Sequence, residues 1–147
     1  MQISDLNSAG AMPALEMTIR YAGQRQRLLA HNIANINTPN FVARDVDPKA
    51  FQSVLSKAVS DRRERTGGAF GRLEWQETAQ IQRDPRDGSL RLGATNPHGG
   101  VLRHDRNATD LERLMQDMVE NLTVFRAATD LMRRQKSTLQ AAISQRV

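Results

Sequence analysis

Two matched heptad stripes, one near each end of the chain, constrain the fold more than any other feature of the sequence. Near the N-terminus, Met12, Leu15, Ile19, Ala22, Gln26, Leu29, Ile33 and Ile36 recur at alternating steps of three and four. Toward the C-terminus, Leu111, Met115, Met118, Leu122, Phe125, Thr129, Met132, Lys136, Leu139 and Ile143 do the same. A sustained 3-4 repeat keeps one seam of a helix turned toward a partner helix, as in a coiled coil. Helices this long are hard to bury within 147 residues. The pattern therefore predicts two terminal helices that pack on each other or on other chains. The polar breaks at Gln26, Thr129 and Lys136 either set register or mark seam positions that face solvent or another subunit. Leu114, Ala128 and Leu131 lie beside the main C-terminal stripe and favour lateral contacts with further helices.

Composition agrees with an extended, assembling chain. Hydrophobic residues make up 39% and aromatics 4%, with one Trp and one Tyr, and the mean hydropathy is -0.57. That is lean for a compact globule. There are no cysteines, which removes disulfides, thiolate metal sites and cysteine nucleophiles. The net charge of +5 raises nucleic acid or anionic lipid as a partner. However, the run Asp61-Arg62-Arg63-Glu64-Arg65 mixes signs and the other arginines are scattered. Solvated faces and interchain ion pairs fit that distribution better than a continuous basic surface. The first fourteen residues hold Asp5, Asn7 and Pro13 and no apolar core, unlike a cleavable secretory signal, and no stretch has the length of a bilayer span.

Local signals divide the chain into three parts. Residues 1–41 are read as an arm and a helix from Pro13 to about Ile36, with Glu16 complementing the positive end of its dipole. The helix stops at Asn37-Thr38-Pro39, because proline disfavours helix at the residue before it. Residues 42–105 form a middle region. Asp47-Pro48 predicts an N-cap and a short helix to about Ser60. Gln80-Ile81-Gln82-Arg83 and Ser89-Leu90-Arg91-Leu92 flank a Pro/Asp-Gly turn and predict a β-hairpin that needs a surface to lean on. Residues 106–147 hold the C-terminal helix, started by a Thr109 capping box with Glu112 and ending near Gln145. The predicted fold is mainly α. Long N- and C-terminal helices form a coiled-coil-like pair, with a small irregular middle region between them.

No constellation in the sequence points to catalysis. His31, His98 and His104 lack zinc-ligand spacing, and the glycines from Gly67 to Gly71 follow no strand and precede no Lys-Ser/Thr. His104-Asp105 has no accompanying nucleophile motif. No enzyme, cofactor or metal site is expected.

The stretch His31-Asn32-Ile33-Ala34-Asn35-Ile36-Asn37-Thr38-Pro39-Asn40-Phe41 resembles the N-terminal signature of bacterial flagellar rod, hook and related axial proteins, approximately A-N-I-A-N-x-x-T-P-x-[FY]. His31 replaces the usual small residue. The chain is short, like the rod members rather than the hook. Phe41-Val42-Ala43-Arg44-Asp45-Val46-Asp47 is similar to a Y-x-A-R-D-[IV]-D run in the proximal-rod branch. Asp105-Arg106-Asn107-Ala108-Thr109-Asp110-Leu111-Glu112 is similar to that branch's segment before the last helix. There Arg106 stands where Gly is usual and Thr109 where Val is usual. The other short rod protein, of the FlgC kind, is the alternative. A basic nucleic-acid-binding helical protein and a helical adaptor are rivals outside the family.

The resemblance implies a structural subunit of the basal-body rod. Its copies would assemble, with other rod proteins of the FlgC, FlgF and FliE kinds, into a hollow shaft in the periplasm. Export would run through the flagellar type III apparatus without a cleaved signal. Physical roles follow as expectations. Leu15, Ile19, Leu29, Ile33, Leu122, Phe125, Met132 and Leu139 form the helix–helix seam, extended by Leu111, Met118 and Ile143. Asn32 and Asn35 satisfy polar groups at a subunit junction. Thr38 and Pro39 fix the exit angle, with Phe41 docked beside them.

Overall fold

The computed structural model describes residues 9–96 and 107–144. Three helices and one hairpin make up its regular structure: α1 (Met12–Asn35), α2 (Pro48–Thr66), β1 (Ile81–Arg83), β2 (Leu90–Leu92) and α3 (Asn107–Ser144). The expectation of a mainly helical chain with long terminal helices and a small central hairpin is met. With 24 and 38 residues, α1 and α3 run about 36 and 57 Å at ~1.5 Å per residue.

α1 and α3 pack antiparallel. The Asn121 carboxamide of α3 donates to the Ala22 carbonyl (2.8 Å) and to Gln26 Oε1 (2.7 Å). A Cβ placed on Gly23 would meet the Phe125 ring at 3.7 Å. The seam on α3 is rotated from the one the sequence stripe suggests. Leu114, Met118, Asn121, Phe125, Ala128, Met132, Gln135 and Leu139 turn inward, while Met115 and Lys136 are exposed. The sequence holds two overlapping 3-4 repeats that share Met118, Phe125, Met132 and Leu139. The repeat that wins carries the hydrogen-bonding Asn121, which meets Ala22, and Phe125, which packs at Gly23.

α1 is two-faced. Toward the middle region it carries the main core, where Met17, Tyr21 and Ala22 meet Val46, Phe51, Ile81 and Leu90, with Phe125 of α3 packed against the cluster. Tyr21 and Phe51 stack nearly parallel, ring centroids 3.8 Å apart and planes 6° from each other. Burial of such rings dominates a small core. Glu16 lies beyond the first turn of α1, which holds no acidic residue. It pairs instead with Arg20, at 2.9 Å.

α2 begins as expected, with Asp47 Oδ1 accepting from the Lys49 amide (2.9 Å) and Pro48 in the first turn. It runs past Ser60 to Thr66, through the mixed-charge run. Arg62 explains the extension. Its side chain is 4% exposed and donates to the Gly10 carbonyl at 2.6 Å, an anchor 52 residues away in sequence. Gly67, at φ +68°, closes the helix by donating to Arg63 O, the left-handed C-terminal geometry glycine suits. α3 begins at Asn107, two residues before Thr109, where the sequence placed its start.

The hairpin pairs Ile81 with Leu92, Gln82 with Arg91 and Arg83 with Leu90. Gly88, at φ +69°, completes its turn. Its support is Gln24 of α1. The Gln24 carboxamide donates to Leu90 O (2.6 Å) and accepts from Leu92 N–H (3.1 Å), so it occupies the outer edge of β2. On the outer edge of β1, Thr78 Oγ1 accepts from the Ile81 amide and Glu77 Oε1 from the Arg83 amide.

Candidate assembly interface

The signature segment begins at the end of α1. The Thr38 amide donates to Asn35 O and the Phe41 amide to Thr38 O, two successive turns. Asn40 takes φ +61°, a left-handed conformation that asparagine tolerates. Thr38, Pro39 and Asn40 are exposed, and Phe41 is half-buried beside His31, ring centroids 5.5 Å apart. Asn35 Nδ2 donates back to His31 O.

The chain then doubles back along α1. Asn32 grips the returning strand at two points: its Nδ2 donates to Arg44 O (2.6 Å) and its Oδ1 accepts from Arg44 N–H (3.1 Å). Two turns earlier, Arg25 forks Asp45, Nε to Oδ1 at 3.0 Å and Nη2 to Oδ2 at 2.7 Å. A bidentate guanidinium–carboxylate pair fixes both distance and plane. Arg25 is only 6% exposed. Burial opposes its charge, yet the Asp45 carboxylate holds its pKa above the ordinary value. Next along the chain, Val46 is fully buried in the core and Asp47 caps α2. Asn32, Asp45, Val46 and Asp47 therefore act inside the subunit, tying α1 to the middle region. Asn32 is 2% exposed, so its carboxamide works within the chain.

α3 closes over this knot. Asp117 is half-buried and its pKa is raised. Burial is the main cause, with the Asp45 charge adding to it and Arg25 opposing. Tyr21, whose hydroxyl points to Val46 O at 3.5 Å, is pushed up to about 12 by burial.

The expected seam residues divide by position. Leu29 is fully buried, and Leu15, Ile19 and Ile33 are half-buried on α1. On α3, Leu111, Met118, Leu122, Phe125, Met132 and Leu139 are half-buried, and Ile143 is 51% exposed. Tyr21, Gln24, Arg25, Asn121 and Arg62 carry much of the internal bonding, and the heptad pattern pointed to none of them. Asp45 was visible within the signature-like run, but its partner, 20 residues away, was not.

The outer side of α3 remains apolar in two places. Met115 and Val119 form one, at 50% and 64% exposure, and Val124 and Leu131 the other, at 47% and 53%. The helical period puts these pairs on opposite sides of α3. Among the described residues, no three His, Asp or Glu side chains are grouped to hold a metal ion. Among them too, no helix is long and apolar enough to cross a membrane.

No family model matches the chain, and no solved structure matches it. Curated relatives do. The flagellar basal body rod protein FlgB of Salmonella typhimurium is 53% identical over 45 residues, 31% of this chain and 30% of that protein. FlgB of Bacillus subtilis is 24% identical over 136 residues, covering 92% of this chain and 95% of the relative. FlgB of Proteus mirabilis is 29% identical over 126 residues, 83% of this chain and 85% of the relative.

Proposed function

We infer that this chain, a flagellar basal-body rod protein most like FlgB, works as a structural subunit whose terminal helices build the wall of the proximal rod. The observation that carries the assembly part is the division of α3. One face is packed on α1, and two others leave Met115, Val119, Val124 and Leu131 in solvent. Large apolar side chains on both flanks of an already paired helix favour further helices as neighbours.

In this reading the terminal segments, 1–41 and 106–147, form the shaft, and the middle region, 42–105, sits on its side. Ile143, Thr38 and Pro39 are the members of the expected interface exposed to neighbours, and Leu111 and Leu122 are half-buried beside them. Met118, Phe125, Met132, Leu139, Leu15, Ile19, Leu29 and Ile33 hold α1 and α3 together. The neighbours are copies of the chain and other rod proteins of the FlgC, FlgF and FliE kinds. The chain reaches the periplasm through the type III export apparatus without a cleaved signal. The assembled tube transmits torque and conducts exported subunits, and no catalytic step belongs to the chain.

The decisive experiment asks whether the protein copurifies with detergent-extracted basal bodies and whether its deletion stops motility. Its absence from preparations with intact rods would overturn the reading. Leu131→Asp, on the solvent side of α3, should leave the monomer helical by circular dichroism and abolish incorporation.

A further inference from the structure

An open cleft of about 380 Å³ lies between the first turns of α1, the segment before the hairpin, and the hairpin itself. Met17, Leu73, Trp75 and Leu90 line it with apolar surface, and Arg20, Arg72 and Arg83 stand around it. Two carboxylates share the rim, and both are engaged. Glu16 pairs with Arg20 at 2.9 Å, and Asp87 accepts from the Ser89 amide at 2.9 Å. Arg83 lies over the Trp75 ring at 4.3 Å, donates to the Trp75 carbonyl at 2.7 Å and pairs with Glu77 at 3.9 Å, which leaves Arg72 as the cleft's open guanidinium. Arg72 is exposed, with no ion pair among the described residues. The cleft therefore offers apolar contact inside an excess of guanidinium. It fits an occupant that presents bulky apolar side chains between carboxylates.

The chain carries such a surface itself. On α3, Met115 and Val119 stand exposed between Glu112 and Glu120, which are also exposed. Spacings of three, four and seven place Glu112, Met115 and Val119 along one side of the helix, with Glu120 at its edge. Along the Glu112–Met115–Val119 line no cation intervenes before Arg126, and Arg113 lies seven residues before Glu120 at the edge of the face. Within one chain the two surfaces cannot meet. Asn121 is level with Ala22 and Gln26, so Met115 and Val119 lie toward the C-terminal end of α1. The cleft uses Pro13 to Arg20 at the other end, on the order of 18 Å away along the helix pair.

Resting on the reading of the chain as a self-assembling rod subunit, we propose that the arginine-rimmed cleft of one copy receives the Glu112–Met115–Val119–Glu120 face of the next. The two surfaces are different, so the contact is head-to-tail. A contact of that kind repeats from copy to copy into a ring or a filament instead of closing as a symmetric dimer. Val124 and Leu131, on the opposite side of α3, stay available to other neighbours.

The absence of cysteine gives a clean test. Asp87→Cys on the rim and Val119→Cys on α3 are made separately in the full chain, mixed and oxidised, with helicity checked first. The mixture should give a covalent dimer that neither variant gives alone, and the double variant should give a ladder of oligomers. Adding Arg72→Glu to the first partner, or Glu112→Arg to the second, should cut the yield several-fold, and the two reversals together should restore it. About 0.5 M salt, which screens surface charges beyond ~4 Å, should also cut it. No mixed dimer, or a Val119→Cys dimer formed by that variant alone, overturns the contact. Basal bodies that contain the chain but lack the Asp87→Cys to Val119→Cys cross-link overturn the contact while leaving the rod reading intact. Absence of the chain from basal bodies removes the rod reading itself.

Discussion

Asn121 donates to the backbone carbonyl of Ala22, 99 residues away in sequence, from a side chain that is 3% exposed. A helix carbonyl is already the acceptor of a backbone bond, so Asn121 adds a second donor across the α1–α3 contact. One amide thus sets the register of two helices that apolar packing alone would allow to slide. Replacing it should weaken the pair and blur the register. Asn121→Ala is expected to cost about 1–3 kcal/mol, read by urea denaturation, with broadened amide resonances along α3. A stability equal to the wild type would remove this role.

The Arg25–Asp45 pair should respond asymmetrically. Asp45→Ala leaves a guanidinium buried without its carboxylate, and a loss of about 3–5 kcal/mol is expected. Arg25→Met combined with Asp45→Ala should recover much of that, because removing both charges removes the desolvation problem. A double variant as unstable as the single one would show that the Asp45 carboxylate acts mainly through the bond it accepts from the Val46 amide.

Asp117 sits at the same junction with a raised pKa. Proton uptake therefore favours the folded state. Stability should rise as pH falls through the folded pKa, and level off below the unfolded value near 3.8. At neutral pH the ionised carboxylate is the less favourable form. Asp117→Asn should raise the melting temperature at pH 7 and remove this rise on acidification. Thermal melts across pH 3.5–7 would show it, and an identical pH profile in the variant would refute it.

Tyr21 is the only tyrosine, and burial holds its pKa up to about 12. Folded protein should therefore show little phenolate absorbance near pH 11, where an unfolded tyrosine, with a model value of 10.0, is largely ionised. The linked stability is complete below pH 10 and is lost as pH rises toward 12. Titration followed at 295 nm, with and without denaturant, separates the two curves.

Gln24 should govern the hairpin. Gln24→Ala removes both bonds to the edge of β2 and is expected to speed hydrogen exchange at the Leu92 amide by about tenfold or more, while α3 amides keep their protection. Unchanged exchange at Leu92 would place the hairpin's support elsewhere.

Where local chemistry decides, the sequence was readable. Asp47-Pro48 started a helix because a carboxylate can cap and a proline fits the first turn. The Asp-Gly turn between Ile81 and Leu92 folded as a hairpin, and Thr38-Pro39 ended α1. The misreadings have distant causes. The helix after Pro48 continues beyond Ser60 because Arg62 reaches Gly10. The α3 seam centres on Asn121, Phe125 and Ala128, with Leu122 and Thr129 half-buried beside it, because Asn121 bonds Ala22 and Phe125 packs at Gly23. Hydrophobicity alone ranks Leu122 above Asn121, and the partner that reverses this ranking sits in another helix. The Arg25–Asp45 pair was hidden for the same reason, since neither residue belongs to an apolar stripe.

The hairpin's sealed edges bear on how safely such a chain can be crowded. A short two-stranded sheet normally shows unpaired amides and carbonyls that invite another strand. Here Gln24 occupies one side, and Thr78 and Glu77 occupy the other. At high local density this leaves cross-β growth without a template on the hairpin. Copies brought together are steered toward meeting through helices, so polymerisation and amyloid-like misassembly draw on separate parts of the molecule.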